Sequence, residues 1–121
     1  MGKANYRDVP VMMHAIDNEG VLIDVNDEWC RVMGYSREEV LGRKSLEFLT
    51  EESRNLAIKS VLPFFFEKGY CKNVPYQFVT KSGEIIDVEL SADCVRNEDG
   101  TVRESRAVLV NISEREAEGS P

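Results

Sequence analysis

Histidine and tryptophan each occur once in this chain, as His14 and Trp29, and cysteine only three times, at Cys30, Cys71 and Cys94. The cysteines fall at no metal-ligand spacing, and their odd number points to free thiols in a reducing compartment, with no redox role assigned to them. Long apolar runs are missing too. The longest, Val61–Phe66, is broken by Pro63 and falls far short of the ~18–20 residues that span a bilayer. The N-terminus lacks a signal-peptide core, so a cytoplasmic domain without membrane contact is expected. Basic stripes are absent as well. With 22 acids against 15 bases the net charge is −7, and Arg43–Lys44 is an isolated basic pair, which argues against nucleic acid as a partner. The sequon Asn111–Ile112–Ser113 sits in a strand-like run and reads as accidental.

What the chain does have is a stretch with a clean period of two. From Glu84 to Cys94, Ile86, Val88, Leu90, Ala92 and Cys94 share one face, while Asp87, Glu89, Ser91 and Asp93 share the other, with Ile85 the exception. That pattern predicts a strand with one dry face and one wet face. Lys81–Ser82–Gly83 and Asn97–Glu98–Asp99–Gly100 are turn chemistries on either side of it. Strand-like runs at 74–80 and 102–112 make the C-terminal half a three-stranded antiparallel meander. At 121 residues the chain is one domain, and its hydrophobic fraction of 42% is ordinary for a globular fold.

Taken in order, residues 1–10 form a polar arm ending in Pro10. Residues 11–17 and 21–25 are two strands joined at Asn18–Glu19–Gly20, with Met12, His14 and Ile16 on one face. Asn26 or Asp27 caps a short helix holding Trp29, Cys30 and Met33, which Gly34 ends. Ser36 and Glu39 form a capping box, and Gly42 closes that second helix. A further helical turn is expected over 45–49. Thr50 then caps a longer helix in which Ile58, Val61, Leu62 and Phe65 form one stripe, with a kink or restart near residues 60–62 caused by Pro63 and a stop at Gly69. The expectation is an α+β fold: five antiparallel strands with helices on one face and a cavity between the layers.

These residues resemble the PAS (sensory box) family from about Val11 to Arg115. Asp17-x-x-Gly20-x-Leu22-x-x-Val25–Asn26 is similar to the family's first hairpin. Met33–Gly34–Tyr35–Ser36–Arg37–Glu38–Glu39–Val40–Leu41–Gly42 is similar to its helix pair, Lys81–Ser82–Gly83 to its Lys-Asp-Gly turn, and Asn111–Ile112–Ser113–Glu114–Arg115 to its closing Asp-Ile-Thr-Glu-Arg. Ser82, Asn111 and Ser113 depart from those patterns conservatively. The resemblance implies a non-catalytic sensor module over residues 11–115 of a larger signalling protein, such as a two-component histidine kinase or a cyclic-dinucleotide enzyme. Asn111 and Ser113 would open the route to an output domain, with residues 116–121 starting the linker.

The family binds flavins, haem, small acids or nothing, so the lining decides. In the light-oxygen-voltage branch a cysteine of Gly-Arg-Asn-Cys-Arg-Phe-Leu attacks the flavin. Here Gly42–Arg43–Lys44–Ser45–Leu46–Glu47–Phe48–Leu49 offers Ser45, and Phe78, Val88 and Leu109 stand where that branch has amides. Haem-binding relatives carry a histidine on the long helix, where this chain has Asn55, Lys59 and Ser60. Both cofactors are therefore disfavoured. The pocket candidates are His14, Ile16, Trp29, Met33, Ser45, Phe48, Ile58, Val61, Phe65, Tyr76, Phe78, Val88, Leu90 and Leu109. They either fill a core or surround a small apolar or aromatic ligand oriented by His14, Tyr76 or Ser45. Met13, Ile85, Val108 and Val110, with Ala15, would form an apolar patch on the other sheet face, and a homodimer is expected through that face or through the 1–10 arm, with or without a ligand. An enzyme using His14 as base with Asp24 or Asp87 is a poorer reading, because no nucleophile accompanies it. Of the thiols, Cys71 is the candidate for reactivity.

Overall fold

The computed structural model describes residues 11–113. The arm expected over 1–10 and the linker expected after Arg115 lie outside the described residues. The period-two stretch is strand β4 (Ile85–Arg96), in which Ile86, Val88 and Leu90 are buried and Asp87 and Asp93 exposed. Strand β3 (Cys71–Val79) pairs with one edge of it and strand β5 (Val102–Asn111) with the other, both antiparallel. Strands β1 (Met12–Asp17) and β2 (Leu22–Val25) form the N-terminal hairpin, and β1 adds to the free edge of β5. The sheet order is thus β2-β1-β5-β4-β3, with the N-terminal hairpin and the C-terminal meander sewn together along β1 and β5.

The helical layer is built from short pieces, each ended by its own local chemistry. Asn26 caps α1 (Asp27–Met33) by accepting from the Trp29 N–H, and Gly34, at φ 80°, ends it. The same Asn26 side chain accepts from Met13 N–H and donates to Val11 O, which clamps the helix start to β1. Ser36 and Glu39 complete the expected capping box at α2 (Arg37–Val40). A 3-10 turn follows at Ser45–Phe48, and Thr50 caps α3 (Glu51–Leu56). Backbone bonds tie this layer to the sheet: Leu22 N–H to Arg43 O at 2.8 Å, Thr50 N–H to Gln77 O at 3.0 Å and Lys81 N–H to Met33 O at 2.9 Å.

Between α3 and α4 (Leu62–Lys68) the helix widens into a π turn at Ala57–Val61, where Leu62 N–H reaches back to Ala57 O. Pro63 explains the widening: it has no N–H to give, and its ring would strike a carbonyl of a regular α turn. The extra residue rotates the helix and corrects the expected apolar stripe. Ala57 is buried instead, and Ile58 is 52% exposed. Phe65 remains buried, with Val61 and Leu62 half-buried beside it. One hydrophobic cluster joins the two layers, from Met12, Ile16, Val88 and Leu109 on the sheet to Trp29, Met33, Val40, Phe48, Ala57 and Phe65 on the helical side.

Candidate functional site: a small cavity under the helical layer

The layers do not close completely. A cavity remains between them, floored by His14 and Ile16 of β1, Cys71, Tyr76 and Phe78 of β3, Leu90 and Ala92 of β4, and Ser105 and Ala107 of β5. Ser45, Leu46, Leu49, Val61, Leu62 and Phe65 roof it. The volume open to the centres of water-sized spheres is about 40 Å³, room for about three waters at ~10–15 Å³ each. Outside it, an open groove of about 600 Å³ runs past Gly20, Arg43, Lys44, Glu47, Arg54 and Phe66. Leu46 and Leu62 line both spaces and form the partition between them.

Strand register brings the cavity's polar atoms together. His14 faces Ala107 across the β1–β5 ladder and Ile16 faces Ser105, so imidazole and hydroxyl are diagonal neighbours on one face. His14 is 7% exposed, and its Nδ1 has no hydrogen-bond partner among the described residues. Burial also depresses its pKa from 6.5 to about 4, because the imidazolium would have to form away from water. The ring is therefore neutral at pH 7. Burial likewise raises the Tyr76 phenol, with a smaller contribution from Cys71. It raises the Cys71 thiol too, partly offset by a backbone hydrogen bond from Ala92. That corrects the expectation for Cys71: a buried thiol with a raised pKa is a poor nucleophile.

Eight of the expected pocket residues do line this space: His14, Ile16, Ser45, Val61, Phe65, Tyr76, Phe78 and Leu90. Trp29, Met33, Phe48, Val88 and Leu109 do not; they are buried in the packed core beside it. There Trp29 meets Phe48 edge-on at 5.5 Å, and its Nε1 has no hydrogen-bond partner among the described residues. Ile58 faces away altogether, turned out by the π turn. Leu46, Leu49, Leu62, Cys71, Ala92, Ser105 and Ala107 were missing from the expected set. Ser105 and Ala92 share the inward period of Ala107 and Leu90, so alternation could have found them. Leu49 reaches the wall through an isolated bridge to Phe78, for which the sequence carries no signal.

On the opposite sheet face Met13 pairs with Val108, and Val110 sits across from Glu89, all half-buried, while Ile85 is 55% exposed at the far edge. Asn111 ends β5 opposite Val88. Ser113 lies within the first helical residues after β5 and does not stand ahead of them as a cap. Its Oγ accepts from Asp87 N–H at 2.7 Å and donates to Asp87 Oδ2 at 3.3 Å. The two acids once paired with His14 are elsewhere. Asp24 is exposed and ion-paired with Arg37, and Asp87 is exposed on the outer face beside Gln77. Among the described residues no cluster of His, Cys, Asp or Glu has a metal-holding arrangement, and no helix is long and apolar enough to cross a membrane.

A single antiparallel sheet, roofed on one face by short helices around a cavity, is the α+β architecture of sensory domains. A family model described as the PAS domain matches residues 8–114, and the chain belongs to that family of sensory modules. No curated protein matches it. Among solved structures it is similar to the PAS domain of a Colwellia psychrerythraea protein, at 18% identity and a TM-score of 0.80, covering 91% of this chain and 92% of that one. It is also similar to the PAS domain of an HTR-like protein from Haloarcula marismortui, at 23% identity and a TM-score of 0.71, covering 88% and 84%. A third similar structure is an RNA-binding light-oxygen-voltage receptor, at 22% identity and a TM-score of 0.75. The match covers 90% of this chain and 31% of that receptor.

Proposed function

We propose that this domain is a non-catalytic sensor in a larger signalling protein, and that it reads the occupancy of the cavity between sheet and helices. The observation that carries this reading is a mostly apolar space between the layers with an unpartnered imidazole in its wall. The relay would run along β4 and β5, which form the cavity floor and meet at the Asp87–Ser113 hydrogen bonds. From there it would continue into an output domain, for which a two-component histidine kinase or a cyclic-dinucleotide enzyme is the expected setting. Free thiols at Cys30, Cys71 and Cys94 suit a cytoplasmic location.

Flavin and haem fit this space poorly. No amide or cationic side chain lines it, Ser45 stands in the roof where a flavin-reactive thiol is needed, and Phe78 occupies the floor. Its volume is also well below the ~150 Å³ of a cavity that admits even benzene. Nor does the geometry favour catalysis, since neither Asp24 nor Asp87 shares a face with His14. A screen of fragments of about five heavy atoms, read by NMR, tests the sensor. Binders should shift the methyls of Leu49 and Leu90 and also the amides of Asp87 and Ser113. Binders that move the methyls alone would break the relay, and a screen without binders would remove the sensor.

A second reading, a ligand-free homodimerisation module, draws on the outer face, where Met13, Val108 and Val110 lie together and Ile85 is exposed.

A further inference from the structure

The unpartnered imidazole in its wall narrows what the cavity can hold. His14 Nδ1 is buried without a partner, and a group in that position forfeits hydration unless an occupant restores a hydrogen bond. The lining contains no lysine or arginine, so an anion would enter without a counter-charge and lose its hydration shell. The space holds only a few heavy atoms, and its remaining wall is aliphatic and aromatic apart from the polar atoms of Ser45, Cys71, Tyr76 and Ser105. We infer that the cavity selects a small, uncharged, branched or short-chain alcohol whose hydroxyl bonds the His14 imidazole while its hydrocarbon part packs beneath Leu46 and Leu62. A hydroxyl can donate and accept, so it satisfies either tautomer of the neutral ring. The depressed pKa of His14 agrees with this, because it keeps the imidazole from recruiting a carboxylate at neutral pH. The inference rests on the sensory reading of the same cavity and adds the chemistry of the occupant.

Three probes of one shape and four heavy atoms separate the possibilities: 2-propanol, isobutane and acetate. With the whole chain labelled, the methyls of Leu49, Leu62 and Leu90 report occupancy and the ring ¹⁵N shifts of His14 report the hydrogen bond. 2-Propanol should bind about tenfold or more tighter than either analogue and should move the ring ¹⁵N resonances of His14. That factor is the order expected when a site's buried polar group is left unpaired by the poorer ligand. In His14→Leu, which removes the imidazole from the wall, the alcohol should lose most of its advantage over isobutane. Isobutane binding as well as the alcohol to the unaltered protein would overturn the alcohol assignment and leave the sensor intact, and acetate binding tightest would overturn it in the same way. Methyls unmoved by all three would overturn the sensory reading as well.

Discussion

His14 should govern how this protein responds to mild acid. Its pKa is 6.5 when unfolded and about 4 when folded, lowered by burial. Above pH 6.5 the ring is neutral in both states and contributes nothing to pH dependence. Between 6.5 and 4 the unfolded chain takes up a proton that the folded one refuses, so stability falls as pH falls, by up to about 3 kcal/mol at ~1.4 kcal/mol per pH unit. The carboxyls held below their ordinary range, Glu28 by Arg31 and Glu39 by Lys81, add to this loss in the same direction, but only from about their own unfolded pKa downwards. Urea midpoints from pH 7 to 5 should therefore drop in the natural sequence and stay nearly level in His14→Leu. Equal slopes would show that the imidazole is not the group responsible. Ser53 makes a comparable case without charge. Its buried hydroxyl accepts from Gln77 N–H at 2.8 Å, and Ser53→Ala would strand that donor under α3, costing about 1–3 kcal/mol in chemical denaturation.

At the scale of elements, the ends of the long helix are as constrained as its middle. Gly69 ends α4 at φ 86°, and a Cβ there would meet the Arg96 guanidinium and lie 3.1 Å from Cys94 Sγ. Gly69→Ala should lower stability by about 1–2 kcal/mol through the left-handed backbone alone, with more from the displaced Arg96, which bonds Gly100 O. Gly83→Ala, at φ 93° with open space around it, should show only the backbone part. The difference between their thermal midpoints therefore isolates the steric share. These helix stops were legible in the chain, as were the caps at Ser36 and Thr50 and the alternation of β4, because each rests on neighbours in sequence. The π turn was not. Pro63 announces some disturbance, but whether the helix kinks, breaks or widens is settled by how the roof must sit on β3, through contacts distant in sequence. That one extra residue moved Ile58 out of the expected site. The same limit applies to the cavity: its strand-borne floor at His14, Tyr76 and Leu90 follows from period two, whereas Leu46 and Leu49 reach it through turns with no period to read.

For the whole molecule, the outer sheet face sets one requirement against another. Met13, Val108 and Val110 present apolar surface that gains from being covered, at ~25 cal/mol per Å². Around them stand Asp87, Glu89, Asp93 and Glu104, with Arg106 the one base across from Asp93, on a chain of net charge −7, so two copies meeting face to face bring an excess of like charge together. A homodimer through this face should therefore be weak at low salt and tighten as salt screens the acids, the reverse of an interface held by ion pairs. Val110→Lys separates assembly from folding. Glu89 lies directly across the β4–β5 ladder from position 110, so the new ammonium gains an opposite charge in the monomer. In a dimer it would lose its water against the apolar centre of the facing copy, a desolvation cost that the exposed acids at the rim return only in part. Sedimentation of the unaltered chain should show a dimer fraction that grows with concentration and with sodium chloride, and the Val110→Lys chain should remain monomeric with an unchanged thermal midpoint. A dimer that persists in Val110→Lys, or one that salt dissociates, would place the contact on another surface and leave the outer face as the wet side of the sheet.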